Sequence, residues 1–469
     1  MSFVSIQFNS NSKQPKYMEL FFSLKEKIMN GELKNGYRLP SVRSLAAELD
    51  LSVATVVAAY KELESNRYVT VKKGSGYFVI KTSTVSDKET PPQFEYTDDL
   101  INFSSATPNP KIFPTDTFKD YINQVIDRDR GYAFGYQDIN GYKDLRTSLC
   151  IHLKRYNSIC ASPDTIQVVS GSQQGIDLVG KTLISPGDYV LCEDPTYNGA
   201  IEAFRSRGAR IVGVKLEKDG IDLLDLERKI LICKPRFLYI MTQYHNPTTI
   251  SYSMTKLNGL LNLGKKYGFY IVEDDSMSEI TYDKVKRETL KSIDNCERVI
   301  YIKSFSKLLM PGLRIGCLVL PELLVNEFTR IKQSTDISSS GLIQRALDLY
   351  LRNSKWAEHI NYMREIYNGK YEVMLSRLKT LKRLGVTFDE PGGGLYFWVK
   401  LPHHISSEEL SQECRKKGLL FLPSPSFYPN ENKSKDNYIR LSFASAEVDD
   451  IKRGMDILED ELRSIISKA

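Results

Sequence analysis

Residues 304–316, SFSKLLMPGLRIG, place one lysine among small hydroxyl residues and an arginine seven positions after it. The run VIYI just before this stretch has the apolar, β-branched character of a buried strand. Lys307 therefore follows the carboxyl end of a predicted strand, with Ser304 and Ser306 beside it and Arg314 beyond. Open α/β sheets bind their ligands at the carboxyl ends of their strands, so these side chains are placed to contact a ligand.

The chain from residue 101 onward alternates apolar runs with helical stretches. Seven of these runs are predicted strands: IQVV (166–169), YVLC (189–192), RIVGV (210–214), FLYIM (237–241), FYIV (269–272), VIYI (299–302) and CLVL (317–320). Because they are almost continuously apolar, we expect a largely parallel sheet covered on both faces, an α/β fold.

Four more of the predicted strand ends carry polar or aromatic groups. Ser172 and Gln173 open a helix after IQVV, and a helix N-terminus with a hydroxyl group is a phosphate site. Tyr197 follows YVLC, Asn246 follows FLYIM and Asp274 follows FYIV. Each feature alone is more typical of a turn, of packing or of a helix cap. Their meeting at one edge of the sheet, beside the lysine, favours a shared ligand.

Pyridoxal 5′-phosphate (PLP) would account for the whole set of groups. A lysine can form an imine with its aldehyde, and an aspartate can hold its pyridine nitrogen protonated. Serines and an arginine can bind its phosphate through charge-assisted hydrogen bonds, and an aromatic face can stack on its ring. The sequence therefore predicts a PLP site.

The motifs EDPTY, HNPTT, VEDD and SFSKLLMPGLRIG, in this order along the chain, resemble those of fold-type I aminotransferases across nearly all of residues 101–469. The resemblance implies that Lys307 makes the internal aldimine and that Asp274 pairs with the pyridinium nitrogen. It also implies that Asn246 bonds the 3-oxygen of the ring and that Tyr197 stacks on the ring. The implied phosphate site consists of Ser172, Gln173, Ser304, Ser306 and Arg314.

The same resemblance extends to the end of the chain. Arg440, in NYIRLSFA, matches the arginine that binds a substrate carboxylate. Residues from about 340 to 469, including GGLYFWVKL, would form the family's smaller α+β domain. Ser276 stands where a tyrosine usually bonds the ring oxygen, which favours sensing over turnover.

The N-terminal segment has a different pattern. Phe21, Leu24 and Ile28 recur at helical spacing, and Ser41 and Ser52 can each cap a following helix. The second and third helices are then separated only by a tight turn, as in a helix-turn-helix. YVTV and YFVI flank the turn KKGSG and predict a β-hairpin. From pattern alone, a helical docking module with a hairpin is the alternative to a winged helix.

LPSVRSLAAELDLSVATVVAAYKEL followed by GSGYFV resembles the DNA-binding domain of the GntR family of bacterial regulators. Val53 departs from that family, which commonly has an arginine at this position of the recognition helix. The resemblance implies a set of residues that touch double-stranded operator DNA: Arg38, Arg43, Ser52, Thr55 and Gly74.

Three segments follow from these patterns: a winged helix-turn-helix domain at residues 1–81, a polar linker at 82–100, and an aminotransferase-like domain at 101–469. This order of domains resembles the MocR subgroup of GntR regulators. The resemblance implies a head-to-tail homodimer and a transcription factor whose signal is PLP or an amino compound. Gly199 stands where GABA-sensing members have a basic residue, which disfavours a GABA response.

Composition is consistent with this organisation. Of the net charge of +6, residues 1–81 contribute +5, with twelve Lys/Arg against seven Asp/Glu, which suits a polyanionic partner. Seven cysteines occur without a C-x-x-C pair, so we expect free thiols and no metal site. No stretch approaches the about 18 apolar residues of a membrane helix, and we expect a cytoplasmic protein.

Two functions remain open from the sequence. The first is a transcription regulator that senses PLP, or an amino compound through PLP aldimine chemistry. The second is an active PLP-dependent aminotransferase with an autoregulatory DNA-binding domain. A regulator that has lost its cofactor is disfavoured because Lys307, Asp274 and Arg314 are all present.

Overall fold

A computed structural model of the chain describes residues 15–66, 68–72, 76–79, 100–283, 285–353, 355–429 and 436–468. The chain divides into two compact units, Met1–Thr97 and Asp98–Ala469. The predicted linker and Gly74 lie outside the described residues, apart from Leu100 at the linker's end. Within the described ranges, no helix has both the length and the apolar character needed to cross a membrane.

The described residues of the first unit form three helices and an antiparallel pair of strands: α1 (Lys16–Met29), α2 (Val42–Glu48), α3 (Val53–Ser65), β1 (Val69–Lys72) and β2 (Gly76–Val79). Both predicted caps are confirmed. Ser41 Oγ accepts a hydrogen bond from the Ser44 amide at 3.1 Å, and Ser52 Oγ accepts one from the Thr55 amide at 3.1 Å. Because the two caps start α2 and α3 on either side of a short turn, the predicted helix-turn-helix forms.

An apolar core holds the described residues of this unit together. Leu24 of α1, Leu45 of α2, and Val56 and Leu63 of α3 are fully buried in one cluster. These positions recur at helical spacing, which is why the three helices pack on one another.

The second unit is built from helices and strands in alternation. Its helices are α4 (Thr115–Asp129), α5 (Lys143–Asn157), α6 (Ser172–Leu183), α7 (Asn198–Arg205), α8 (Leu223–Cys233), α9 (Met254–Tyr267), α10 (Val325–Asp336), α11 (Gly341–Arg352), α12 (Lys355–Leu381), α13 (Ser407–Lys416) and α14 (Val448–Lys468). Its strands are β3 (Ile101–Asn102), β4 (Ile166–Val169), β5 (Tyr189–Asp194), β6 (Arg210–Glu217), β7 (Gly220–Ile221), β8 (Phe237–Ile240), β9 (Tyr270–Asp275), β10 (Val299–Ser304), β11 (Gly316–Val319), β12 (Thr387–Phe388), β13 (Tyr396–Lys400), β14 (Leu419–Leu420), β15 (Leu422–Pro423) and β16 (Tyr438–Ser442).

All seven predicted strands lie in one large sheet, with the order β4-β11-β10-β9-β8-β5-β6-β7. The short strand β7, which the sequence did not predict, adds an eighth. The pairs from β10 through β9, β8 and β5 to β6 are parallel, whereas β11 is antiparallel to both of its neighbours. The predicted, mostly parallel α/β sheet is confirmed.

Both faces of the large sheet are covered. Cys192 belongs to an apolar cluster that includes Phe204 of α7, whereas its strand neighbour Leu191 belongs to a second cluster that includes Leu226 of α8. Successive residues of a strand point to opposite faces, so the two clusters lie on opposite sides of the sheet.

A smaller antiparallel sheet, β12-β13-β16-β15, follows in the chain, and β3 pairs with β14 in parallel. Helices α12 and α14 pack on each other, whereas α11 packs on α4 and α5. On this sheet, Arg440 of β16 is the register partner of Trp398 on β13. Arg440 therefore reaches the functional site from a different sheet than Lys307 and Asp274.

Candidate functional site

A cavity of about 530 Å³ lies at the carboxyl ends of the parallel strands, and we call it the Lys307 cavity. Every residue predicted for the cofactor and for the effector carboxylate lines it: Ser172, Gln173, Tyr197, Asn246, Asp274, Ser304, Ser306, Lys307, Arg314 and Arg440. The fold therefore brings together side chains that are widely separated along the chain.

One end of the cavity is suited to a phosphate. Ser172 and Gln173 begin α6, so their backbone N–H groups are at a helix N-terminus. Arg314 donates to the carbonyl oxygen of Ser170 at 2.9 Å beside them. A Cβ at Gly171, whose φ is +78°, would lie 2.8 Å from Arg314 Nη2. A glycine is therefore needed for the close approach of this guanidinium to the helix start.

Asp274 lies near the end of the parallel strand β9 and is 6% exposed. Its Oδ2 accepts a hydrogen bond from the Tyr239 hydroxyl at 2.7 Å, and its Oδ1 accepts one from Ser276 Oγ at 3.2 Å. Burial raises the pKa of Asp274 to about 6, and the nearby Asp275 carboxylate acts in the same direction. Within the described part of the chain, Asp274 has no ion-pair partner, so a cationic ring nitrogen would balance its charge.

Lys307 follows β10, and its amine forms no hydrogen bond or ion pair with any described residue. Burial, followed by the positive charges of Arg440 and Arg314, lowers the pKa of Lys307 to about 8. A sizeable fraction of this amine is therefore neutral near physiological pH, which is the nucleophilic form.

Arg440 and Asn246 form the opposite wall of the cavity. Arg440 Nη1 donates to Asn246 Oδ1 at 2.8 Å, and its Nη2 donates to the carbonyl oxygen of Ser104. The guanidinium carbon lies 4.9 Å from the ring centroid of Tyr396 and 5.3 Å from that of Phe427. Arg440 is buried, its Nε has no hydrogen-bond partner, and no described carboxylate pairs with it. Such a group fits the carboxylate of a bound ligand.

Tyr197 and Gln173 contact each other in the wall. The Tyr197 hydroxyl donates to Gln173 Oε1 at 3.2 Å, and the Gln173 amide donates to the Gly199 carbonyl oxygen at 3.0 Å. These bonds hold the aromatic ring of Tyr197 beside the start of α6.

The sequence did not single out Tyr239 or Tyr396. Tyr239 is in the apolar run FLYIM and Tyr396 is in the apolar stretch GGLYFWVKL. Their neighbours in the sequence therefore predict only that these two side chains pack in a core. A tyrosine within a buried strand needs a partner for its hydroxyl, and that requirement is the signal that could have pointed to Tyr239.

Four of the five predicted DNA contacts, Arg38, Arg43, Ser52 and Thr55, are among the described residues and lie in or beside the helix-turn-helix. Arg38 and Arg43 are exposed, and neither pairs with a carboxylate of the described residues. Ser52 Oγ lies 2.8 Å from Thr55 Oγ1 at the start of α3, where Val53 is 51% exposed. Ser52 and Val53, at the start of α3, are therefore exposed.

Among the described residues, no group of three or more His, Cys, Asp or Glu side chains could hold a metal ion.

Comparison with known proteins assigns each unit to a family. Bacterial regulatory proteins of the gntR family match residues 16–79, and aminotransferases of class I and II match residues 99–458. The HTH-type transcriptional regulator YdfD of Bacillus subtilis is 31% identical over 94% of this chain and 95% of its own length. The probable rhizopine catabolism regulatory protein MocR of Rhizobium meliloti is 27% identical over 87% of this chain and 86% of its own length. The chain belongs to the MocR subgroup of GntR regulators.

The fold of this MocR-type regulator agrees with that assignment. The kynurenine aminotransferase of Pyrococcus horikoshii, solved in complex with PMP, superposes with a TM-score of 0.75 at 31% identity. The match covers 78% of this chain and 92% of the aminotransferase. The predicted combination of a GntR winged helix with a fold-type I aminotransferase domain is confirmed.

Fold-type I aminotransferases depend on PLP, and the side chains of this MocR-type regulator fit that cofactor. Among the described residues, the Lys307 amine has no partner and Asp274 has no cation, and Arg314 lies beside a helix N-terminus. An aldehyde, a pyridinium nitrogen and a phosphate are the groups that these residues would bind.

Proposed function

We propose that this MocR-type regulator binds operator DNA through its winged helix and senses PLP, or an amino compound through PLP, in the Lys307 cavity. The observation that carries the proposal is the unbalanced charge in that cavity. Arg314 and Arg440 have no carboxylate partner among the described residues, and the buried Asp274 has no cationic partner there. A ligand with a phosphate, a carboxylate and a pyridinium nitrogen would balance all three.

Each residue around the ring would have a separate role. Lys307 would hold the cofactor covalently, and Asp274 would accept a hydrogen bond from the ring nitrogen. Asn246, oriented by its bond to Arg440, would donate to the ring oxygen from its amide nitrogen. When bound, PLP supplies an aldehyde that condenses with amines and a ring that withdraws electrons. Tyr197 would cover the ring face.

The phosphate and carboxylate contacts would lie at opposite ends of the cavity. The phosphate would be bound by Ser172, Gln173, Ser304, Ser306 and Arg314. Arg440 would bind the carboxylate of an amino-acid effector through the guanidinium edge, which has no acidic partner among the described residues.

The winged helix would bind double-stranded DNA. The exposed Arg38 and Arg43 would contact phosphates or base edges, and Ser52 and Thr55 would enter the major groove at the start of α3. Gly74 remains a predicted contact of the wing.

We further propose a head-to-tail homodimer. Tyr132, Phe134 and Tyr136, between α4 and α5, are 85%, 66% and 85% exposed. A cluster of exposed aromatic side chains is typical of a surface that a partner covers. A second copy of the chain is the partner that the family resemblance implies.

An active aminotransferase is the alternative function. The complete set of lysine, aspartate and arginines in the Lys307 cavity favours it, and so does the likeness to solved aminotransferases. Ser276 favours sensing, because its hydroxyl bonds Asp274 at 3.2 Å where the family usually has a tyrosine for the ring oxygen.

One experiment distinguishes the two functions. Operator duplexes selected from a random library are titrated with wild type and with Lys307→Ala, with and without PLP and candidate amines. We expect both proteins to bind DNA and only wild type to respond to the amine. Steady turnover of an amino acid with a keto-acid acceptor, at rates typical of enzymes, would instead support the aminotransferase. A Lys307→Ala protein that responds as wild type does would contradict sensing through the lysine.

A further inference from the structure

A second cavity, of about 360 Å³, lies between α5, the end of α11 and the start of α12, and we call it the α5 cavity. It shares no lining residue with the Lys307 cavity. Ser148, Ile151, His152 and Arg155 line it from one face of α5, because they follow the i, i+3, i+4, i+7 spacing of a helix. Its volume is within the range of small-molecule sites, which begins at about 300 Å³.

The charged groups that line the α5 cavity are all positive. Arg155 and Arg352 line it, and no Asp or Glu does. Arg352 pairs with Asp348 at 2.9 Å and with Asp144 at 3.5 Å, whereas Arg155 has no carboxylate partner among the described residues. The Arg155 guanidinium lies instead 5.4 Å from the ring centroid of Tyr156. Arg155 is therefore available to an anionic ligand.

The inner wall of the α5 cavity is aromatic. The rings of His152 and Trp356 meet edge to face with centroids 4.7 Å apart, and the two residues are 4% and 1% exposed. His152 Nε2 and Trp356 Nε1 have no hydrogen-bond partner within the described residues, and the buried Glu279 Oε1 lies 4.0 Å from His152 Nε2. Burial, with a smaller effect of Lys303, lowers the pKa of His152 to about 3, so the imidazole is neutral near pH 7.

The rim of the cavity adds apolar surface, because Ile151 is 66% exposed. A cationic group, an aromatic wall and an apolar rim together select an organic anion over an inorganic one. We propose that the α5 cavity binds a small carboxylate with an aromatic or apolar body, its carboxylate at Arg155 and its body against Ile151, Tyr156 and the accessible edges of His152 and Trp356. This site does not require PLP.

The α5 cavity is also close to the residues that present Lys307. The ring of Phe305, two positions before Lys307, lies 5.7 Å from the ring of His152 and 5.7 Å from that of Trp356. A ligand that shifts either ring would alter the packing of Phe305. The ligand would then change the affinity for PLP, and PLP would change the affinity for the ligand by the same factor.

Intrinsic fluorescence provides a direct test, because the chain has two tryptophans, Trp356 and Trp398. In the Trp398→Phe protein, full length and free of cofactor, the tryptophan fluorescence comes from Trp356 alone. We expect 3-phenylpropionate to change this fluorescence saturably and the uncharged 3-phenylpropionamide to have no such effect at the same concentrations. Equal responses to the acid and the amide would overturn the proposal.

Matched variants locate the carboxylate. Arg155→Gln in the same background should weaken binding of 3-phenylpropionate by about tenfold, the effect of about 1.4 kcal/mol. Lys154→Gln removes the same charge from the adjacent exposed position, which does not line the cavity, and should leave the affinity within about twofold. Unchanged binding in Arg155→Gln would overturn the proposal.

Three further measurements complete the test. Arg440→Lys should retain the Trp356 response, whereas its loss would place the ligand in the Lys307 cavity and overturn the proposal. If Trp398→Phe does not fold, calorimetric titration of wild type, Arg155→Gln and Lys154→Gln with 3-phenylpropionate gives the same comparison. A binding heat that is the same in wild type and in Arg155→Gln would count against the site. Finally, an unchanged PLP affinity at saturating 3-phenylpropionate would refute the link to Lys307.

Discussion

Tyr239 donates a hydrogen bond of 2.7 Å from its hydroxyl to Oδ2 of Asp274, at the base of the Lys307 cavity. Burial raises the pKa of Asp274 to about 6, whereas the bond from Tyr239 lowers the pKa of this carboxyl group. The two effects oppose each other, so Tyr239 helps to keep Asp274 ionised. The ionised form is the one that can balance a pyridinium nitrogen.

Replacing Tyr239 should therefore change the pH dependence of PLP binding. Tyr239→Phe removes the donor and raises the pKa of Asp274, by about one unit if the lost bond contributes about 1.4 kcal/mol. We expect the acidic midpoint of PLP affinity, measured by absorbance titration, to move to higher pH. Tyr252→Phe is the control, because it removes a buried bond of 2.7 Å to Glu193 instead. An upward shift of equal size in the control would contradict a specific role of Tyr239.

Asp274 should also make the cofactor-free protein less stable as pH rises. Its pKa of about 6 in the folded state is above the ordinary value of 3.8, so the folded state binds the proton more tightly. The stability that this proton contributes is full below about pH 4 and is lost as pH rises through about 6. The free energy of unfolding of Asp274→Asn, minus that of wild type, should therefore increase from pH 4 to pH 7 by on the order of 3 kcal/mol.

Urea unfolding of the two cofactor-free proteins at pH 4 and pH 7 measures this difference. The exposed Asp389, changed to Asn, serves as the control and should show no such gain. A constant difference between wild type and Asp274→Asn at both pH values would show that Asp274 titrates as an ordinary aspartate.

The rate at which PLP attaches to the protein should depend on pH in the same way as the fraction of neutral Lys307. Burial and the charges of Arg440 and Arg314 lower the pKa of Lys307 to about 8, so the rate of attachment should rise with pH to a midpoint near that value. Arg440→Gln removes one positive charge, raises the pKa of the amine and should move the midpoint to higher pH. Stopped-flow absorbance after mixing the cofactor-free protein with PLP measures the rate.

Arg236→Gln is the control for that experiment, because Arg236 is a surface residue paired with Asp188 at 2.8 Å. Its midpoint should equal that of wild type. Borohydride reduction followed by peptide mass spectrometry should place the cofactor on Lys307 in each protein, and labelling of another lysine would contradict the assignment.

Substitutions of the DNA-binding residues should weaken DNA binding without changing the absorbance spectrum of bound PLP. Arg43→Gln should weaken binding to a selected operator by the equivalent of about 1–3 kcal/mol and leave PLP absorbance unchanged. Lys61→Gln, which removes a charge from the later part of α3, should have a smaller effect. Anisotropy titrations at two salt concentrations make the comparison, and equal losses in both variants would indicate a contribution of bulk charge alone.

The amino-acid sequence by itself determined the seven main strands of the large sheet, two helix caps and ten of the residues that line the Lys307 cavity. The seven apolar runs became strands of one sheet, and Ser41 and Ser52 became helix caps, because strand burial and capping depend on short-range patterns. The motif residues met in one cavity because the carboxyl ends of parallel strands lie at one edge. Those features needed no knowledge of the packing between distant segments.

Only the tertiary structure decided which distant side chains touch. The bond from Tyr239 to Asp274 depends on neighbouring strands in register, and the bond from Arg440 to Asn246 joins two different sheets. The α5 cavity likewise exists only because α5 packs beside the start of α12, which brings His152 to Trp356. Such contacts are set by how the elements pack in three dimensions, and no local period or spacing in the chain encodes them.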